Sequence, residues 1–262
     1  MNKLPALQGL LWIRQGIALF RRNPGELIAI MLAYFFVFSS LAMVPLLGPV
    51  IWSLLIPGLC LGLLQACRQV AQGETVWSKQ LLQGLRMPGL QPQLKLGILW
   101  LIGCIVAAIV LYLMLKSIGD GSSLKMFEKQ ANIDPKLVDQ ILFAFACATL
   151  AQMPFVMALW FAPALVGWHN MSAGKAIFFS FFSVWKAIRA FIVFGLAMVT
   201  LMFGLGLMGQ LVSMILAPLL GAQFVSVSVL LALLLIVSSI FYCSLYCCYE
   251  NMFGSESNWQ KN

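Results

Sequence analysis

Six apolar stretches, each long enough to cross a membrane, constrain the fold of this chain more than any other feature. A helix of about 20 residues, rising about 1.5 Å per residue, matches a hydrocarbon core of about 30 Å. The stretches are continuous rather than alternating with period two, which argues against a β-barrel. We therefore predict an all-α polytopic membrane bundle of six transmembrane helices. Bounded by the nearest charge, proline or histidine, they run over 27–44, 50–67, 96–115, 141–168, 190–217 and 222–249.

The composition excludes a water-soluble globule. Hydrophobic residues make up 62% of the chain and charged residues only 9%, whereas an ordinary soluble domain is about a quarter charged. No small-x-small cleavage site follows a suitable apolar core near the N-terminus. We expect the first spanning helix to act as an uncleaved insertion signal.

Lysine and arginine lie mainly on one side of the predicted membrane. With the N-terminus in the cytoplasm, twelve fall on the cytoplasmic side and four on the other. The positive-inside rule then predicts that both termini are cytoplasmic. Four acidic residues balance the four outer lysines, so the formal net charge of +8 belongs to the cytoplasmic face. A basic face beside an anionic leaflet gains about 1 kcal/mol per Lys or Arg, which favours anionic lipid headgroups over nucleic acid as partners.

Amphipathic segments precede the first, third and fifth spans. They cover residues 7–26, 74–89 and 180–191. Each combines tryptophan with basic residues, as is typical of a helix lying in the headgroup plane. The third segment can also be read as the first turns of the fifth span. The predicted headgroup contacts are Arg14, Arg21, Arg22, Lys79, Arg86, Lys186 and Arg189.

The chain divides into three hairpins, each with its amphipathic segment, within one membrane domain. The units are 1–73, 74–170 and 171–254, followed by a short polar tail, 255–262. The string PLLG occurs at the outer turns of the first and third hairpins, where we expect Pro to stop one helix and Gly to allow the reversal. The turns face the same side, so any duplication is parallel. In the longer middle connection, Asp134 and Pro135 predict a helix start.

Two strings in the first third of the chain resemble a known family. They are WIRQGIALFRRNPGELIAIM and VPLLGPVIWSLLIPGLCLGLLQACRQVAQGE. They are similar to a family of proteobacterial inner-membrane proteins known mainly by a locus-tag name, over about the first 75 residues. HNMSAGKAIFFSFFSVWKAIRAF matches more weakly, and the chain is also similar, to a lesser degree, to membrane domains attached to glycerophosphodiester phosphodiesterases. The resemblance implies a multi-helix inner-membrane fold and carries no catalytic residues.

Polar residues and prolines inside the spans are the candidate functional positions. Gln65, Gln152 and Gln210 belong to different hairpins and are predicted to face the bundle interior, either bonding between helices or lining a ligand cavity. Helix breaks are predicted at Pro57, Pro154 and Pro163, because proline removes a backbone donor. A GxxxG pattern follows Pro57 and permits close helix contact. These signals make the second and fourth spans candidates for the bundle centre.

Other titratable residues receive structural interpretations. Glu26 follows Asn23 and Pro24 in a capping arrangement at the first span, with a buried functional carboxylate as the alternative. His169, the only histidine, is predicted to lie at the interface without metal or catalytic partners. Seven cysteines, an odd number, lie in or beside apolar stretches and do not indicate a disulfide framework. The Cys243, Cys247 and Cys248 cluster leaves metal binding or palmitoylation as the minor alternatives.

No catalytic motif, phosphate-binding loop or metal-ligand spacing is recognisable. Charged residues, which mark many ion-coupled transporters, are absent from the interiors of the predicted spans. The sequence therefore favours a non-catalytic membrane protein without a cofactor, either an accessory protein that binds a membrane-protein partner or a protein that interacts with lipid at its basic cytoplasmic face. The alternative is a carrier or channel for a lipid-like or small neutral molecule, centred on spans two and four.

Overall fold

The computed structural model describes residues 5–86, 89–118 and 135–254, and over these ranges the chain forms helices and short turns with no strand. Apart from the short α1, α4, α7 and α8, the helices are long and apolar. In chain order they are α1 (Gln8–Phe20), α2 (Pro24–Ala42), α3 (Leu47–Gln72), α4 (Gln80–Arg86), α5 (Leu90–Ile118), α6 (Pro135–Leu159), α7 (Ala162–His169), α8 (Ala173–Lys186), α9 (Ile188–Leu220) and α10 (Ala222–Phe253).

Within the described ranges six helical spans are long and apolar enough to cross a membrane, which confirms the predicted all-α bundle. They are formed by α2, α3, α5, α6 with α7, α9 and α10. α9 and α10 have 33 and 32 residues and extend beyond the predicted limits. Those limits were set at the nearest charge or proline, but a charged residue in a terminal turn does not end a helix. The predicted C-terminal tail, 255–262, lies outside the described residues.

The buried core is concentrated in one half of the bundle. This packed half contains α1, α4 and α8, the C-terminal parts of α3, α7 and α10, and the N-terminal part of α9. In the other half the spans expose apolar side chains such as Leu196, Phe203 and Leu230. Apolar side chains gain little by leaving lipid for another helix, so exposed leucines and phenylalanines are compatible with a stable membrane protein.

The first two amphipathic segments contribute directly to this core. Trp12 of α1 is fully buried and packs against Phe191 and Phe194 of α9, with ring centroids 5.4 and 6.3 Å away. α4 packs across α3, where the backbone of Gly58 and Gly62 lies directly beneath it. These two glycines make the close helix contact that the GxxxG pattern permits.

The third amphipathic segment overlaps a separate helix. α8 ends at Lys186 and α9 begins at Ile188, with Ala187 forming the break between them. Across α1, α4, α8 and their flanking turns, all seven predicted headgroup residues keep exposed side chains. The buried apolar faces and the exposed basic faces therefore lie on the same segments.

The two PLLG strings lie at hairpin turns but fold differently. In the first, Leu46 has φ of 63° and Leu47 donates its N–H to the carbonyl of Pro45, while Gly48 already lies inside α3. In the second, α9 continues through Pro218 to Leu220, and Gly221 alone, with φ of 90°, reverses the chain. Pro45 lies just beyond the end of α2 at Ala42, as predicted for a helix stop, whereas Pro218 does not end α9. The predicted reversal at Gly holds only for Gly221. In the middle hairpin α6 begins at Pro135, as predicted, and Asp134 lies outside the described residues.

Candidate functional site

Of the three predicted proline breaks, only the one at Pro163 interrupts a helix. α3 continues through Pro57 and α6 continues through Pro154, so those two predictions are wrong. The fourth span instead breaks at Trp160 and Phe161, and Pro163 lies in the first turn of α7. A proline there lacks only an N–H that a helix start leaves unbonded anyway.

A serine from α8 satisfies the backbone groups freed by this break. The N–H of Phe161 donates to Ser180 Oγ at 2.9 Å, and the Ser180 hydroxyl donates to the carbonyl of Met157 at 2.9 Å. Ser180 is fully buried. In a membrane, an unpaired backbone group costs several kcal/mol, so this hydroxyl lets the span change direction inside the bundle.

Beside the break lies an apolar cavity at the junction of the three hairpins. Its volume is about 260 Å³. α3 and the α6–α7 junction contribute most of the lining residues, and α2, α5 and α10 contribute the others. The lining comprises Tyr34, Ile56, Pro57, Cys60, Leu64, Trp100, Val156, Leu159, Trp160, Pro163, Phe241, Tyr242 and Leu245.

Aromatic rings and a few polar atoms define the chemistry of this cavity. Tyr34 and Tyr242 pack edge to face at 6.4 Å, and the Tyr242 hydroxyl lies 3.2 Å from Cys60 Sγ. The buried indole N–H of Trp160 has no hydrogen-bond partner among the described residues. Ligand sites are predominantly apolar and aromatic with a small number of polar groups. This cavity is suited to an acyl chain or a small apolar molecule.

The three predicted interior glutamines do not line this cavity. Gln65 accepts a hydrogen bond from Trp168 Nε1 at 2.9 Å, linking α3 to α7. Gln152 donates to Cys104 Sγ at 3.9 Å, while its buried carbonyl oxygen has no partner in the described residues. Gln210 is exposed on α9, outside the predicted interior, and the neighbouring Gly209 faces Val229 and Leu233 of α10. The aromatic residues, rather than the glutamines, surround the cavity.

A second, polar pocket lies at the end of the packed half. It has a volume of about 760 Å³ and includes Arg68, Trp168, His169, Tyr249 and Glu250. The guanidinium of Arg68 lies 5.2 Å from the centre of the Trp168 ring. His169 Nε2 and the Tyr249 hydroxyl are 2.7 Å apart and share a hydrogen bond. His169 thus has partners that its neighbours in sequence do not reveal.

Glu26 has the capping arrangement that the sequence favours, together with a further contact. Its N–H donates to Asn23 Oδ1 at 3.4 Å and Pro24 begins the helix. Its carboxylate accepts the N–H of Val76, tying α2 to the segment before α4. All seven cysteines are free thiols. Within the described ranges, no group of three His, Cys, Asp or Glu side chains is placed to hold a metal ion.

Comparison with known proteins gives one informative relative. The chain is 33% identical over 257 residues to the probable inner membrane protein BTH_II0599 of Burkholderia thailandensis, covering 96% of this chain and 93% of the relative. The chain belongs to this family of inner membrane proteins. No family profile matches it. No solved structure matches it.

Membership of this inner-membrane family extends the resemblance seen in the first 75 residues to nearly the whole chain. The six apolar helices therefore belong to a multi-pass inner-membrane protein. Sequence reasoning identified Pro57 and Pro163 but missed the aromatic wall opposite them. On α10 aromatic residues recur at helical spacing, at 242, 246, 249 and 253, but only Tyr242 of these lines the cavity, and the other three line the polar pocket. In an all-apolar helix this stripe alone does not distinguish a lipid-facing side from a cavity.

Proposed function

We propose that this inner-membrane protein binds a lipid or lipid-like apolar molecule between its three hairpins, without catalysing a reaction. The observation that carries the proposal is the aromatic cavity between Pro57 and Pro163, to which all three hairpins contribute. A bundle held only by helix packing has no need for such a space, because close packing supplies the van der Waals contacts that drive association in lipid. Occupation by an apolar ligand restores those contacts.

The basic residues support a role at the membrane surface. The seven predicted headgroup residues are exposed, and anionic lipids attract such side chains with about 1 kcal/mol each. We infer that this face is cytoplasmic, with both termini inside, and that it binds headgroups rather than nucleic acid. A C-terminal fluorescent-protein fusion should fluoresce and a C-terminal alkaline phosphatase fusion should be inactive. The reverse pattern would refute this orientation.

The cavity also supports a second function, that of a carrier for a lipid-like or small neutral molecule. The break in the fourth span lies directly beside it, and interrupted helices near the membrane midplane occur at many transporter sites. A binding protein retains its ligand at equilibrium, whereas a carrier accelerates transbilayer movement. Measuring the exchange of a labelled lipid between the leaflets of proteoliposomes distinguishes the two.

Photocrosslinking tests occupation of the cavity. The full-length protein is placed in nanodiscs of phosphatidylethanolamine and phosphatidylglycerol containing a phospholipid with a diazirine-bearing acyl chain. We expect adducts at cavity residues such as Cys60 and Tyr242. Val156→Trp places an indole in the cavity, where it competes with the acyl chain for space. It should lower these adducts about tenfold, which corresponds to about 1.4 kcal/mol of binding free energy.

Val199→Trp is the matched control, because Val199 is exposed on α9. It should leave the cavity adducts unchanged. Equal labelling of Cys60 and Tyr242 in the wild type and in Val156→Trp would contradict the proposal, because the adducts would then come from lipid outside the cavity. Monodisperse gel filtration of both variants checks that each is folded.

A further inference from the structure

The polar pocket in the packed half is surrounded by the ends of three helices. α3 ends at Gln72, α7 ends at His169 and α10 ends at Phe253, and all three residues line the pocket. The C-terminal end of a helix carries a partial negative charge and attracts cations. Three such ends make this pocket favourable for a positively charged group.

Glu250 adds a full negative charge to the same place. It lies in the last turn of α10, where the helix dipole disfavours a carboxylate. Among the described residues no ion pair joins it to Arg68, although both line the pocket. An ammonium group bound beside Glu250 compensates both the carboxylate and the helix ends. The rings of Trp168 and Tyr249, whose centroids are 4.8 Å apart, provide aromatic surface next to it.

Arg68 supplies the opposite charge from the facing helix. Its guanidinium lies over the ring of Trp168, and guanidinium groups bind phosphate in a planar, two-pronged geometry. The pocket thus presents an anion-binding group on α3 and a cation-binding group on α10. A ligand that satisfies both carries a phosphate and an amine.

We propose that this pocket binds a phosphate ester bearing a primary amine, a zwitterion of the phosphoethanolamine type. The phosphate lies at Arg68 and the ammonium at Glu250. This inference rests on the proposed lipid-binding function and deepens it by naming the headgroup class. No covalent step is involved.

The apolar cavity and the polar pocket follow one another along the same helices. On α3, Leu64 lines the cavity and Arg68 lines the pocket; on α10, Leu245 and Tyr249 do the same. Four residues correspond to about one helical turn, or about 6 Å. One phospholipid therefore reaches both sites, with its headgroup in the pocket and part of an acyl chain in the cavity.

Competitive lipid retention tests the headgroup assignment. The full-length protein is released from nanodiscs of equimolar phosphatidylethanolamine and phosphatidylglycerol, and retained lipids are counted by native mass spectrometry. The wild type should retain phosphatidylethanolamine preferentially. Glu250→Gln should reduce that retention about tenfold, as expected for loss of a charged hydrogen bond, and leave phosphatidylglycerol unchanged. Arg68→Gln should reduce both lipids.

Matched variants outside the pocket test whether removing one charge, wherever it lies, changes lipid retention. Glu74→Gln and Lys116→Gln change exposed residues elsewhere and should retain lipid as the wild type does. Glu250→Asp keeps the carboxylate and should preserve the preference, which covers the case in which Glu250→Gln fails to fold.

Soluble phosphoethanolamine distinguishes the two sources of this chemistry. If it raises the melting temperature of the wild type but not of Glu250→Gln, while no lipid is retained preferentially, the ligand is a free phosphorylated amine bound in the same pocket. Equal lipid retention by wild type and Glu250→Gln, with no effect of soluble phosphoethanolamine, overturns the pocket assignment. The crosslinking of Val156→Trp reports on the apolar cavity separately, so failure of the headgroup assignment is distinguishable from failure of the lipid-binding proposal.

Discussion

Gly9 and Gly16 determine how closely α1 approaches the bundle. A Cβ atom at Gly9 would collide with the carbonyl of Ala190, and one at Gly16 would collide with Ser244. The two glycines are seven residues apart, so they lie on one face of α1, next to the buried Trp12. Small residues at such contacts let helix backbones approach and increase van der Waals contact.

Gly16→Ala should therefore destabilise the protein, although alanine is the better helix former. The added methyl meets the backbone of α10, and overpacking of this kind costs about 1–3 kcal/mol. Gly195→Ala is the matched control, since a Cβ there meets no atom within 4 Å. Thermal unfolding in detergent should show a lower midpoint for Gly16→Ala only. Equal midpoints for the two variants would contradict this docking of α1.

The broken fourth span shows how one element depends on another. α6 and α7 are joined through Trp160 and Phe161, and the hydroxyl of Ser180 on α8 bridges the interrupted backbone. α8 is thus more than a surface helix, because its Ser180 side chain supplies the hydrogen bonds that the interrupted backbone needs within the membrane. The same break brings Trp160 and Pro163 to the cavity wall.

Ser180→Ala should weaken this junction. The N–H of Phe161 and the carbonyl of Met157 would lose their partner, and an unsatisfied buried group costs about 1–3 kcal/mol. Ser226→Ala is the control, because the Ser226 hydroxyl is exposed and bonds only to Ala222 of its own helix. We expect a lower melting midpoint and faster proteolysis near Trp160 for Ser180→Ala alone. Unchanged proteolysis there would show that the break does not need Ser180.

At the same scale, the turns mark a limit of sequence reasoning. Both PLLG strings predict a hairpin turn, and both lie at one. Their letters do not reveal which residue takes the positive φ, because this depends on where each helix happens to end. Leu46 adopts it in the first turn and Gly221 in the second. The effect of proline on a helix is equally hard to predict from the sequence. Pro57 and Pro163 both line the cavity, but only the span containing Pro163 is interrupted.

On the scale of the whole molecule, hydropathy predicted the number of spans but not their packing. Lipid-facing and core-facing side chains are equally apolar, so nothing in the composition of α9 separates buried Phe194 from exposed Leu196. For the same reason, the residues that line the candidate site could not be predicted from composition. Its aromatic wall joins Tyr34, Trp100 and Tyr242, which are far apart in the chain, and only the fold brings them together.

The packed half of the bundle and the other half differ in what they contain. The packed half contains the core, the exposed basic residues and the polar pocket, while the apolar cavity lies where the hairpins begin to diverge. A ligand at this junction contacts all three hairpins at once. Its presence should therefore stabilise the assembly as a whole, as binding to the native state always does.

The most direct test of a ligand-binding junction is an electron cryo-microscopy structure of the full-length protein in native-lipid nanodiscs, enlarged by a bound antibody fragment. The account predicts elongated density between Pro57 and Pro163, in contact with Trp160 and Tyr242, that disappears in Val156→Trp. A closed junction, with the side chains of α3, α7 and α10 packed together and no space between them, would contradict it.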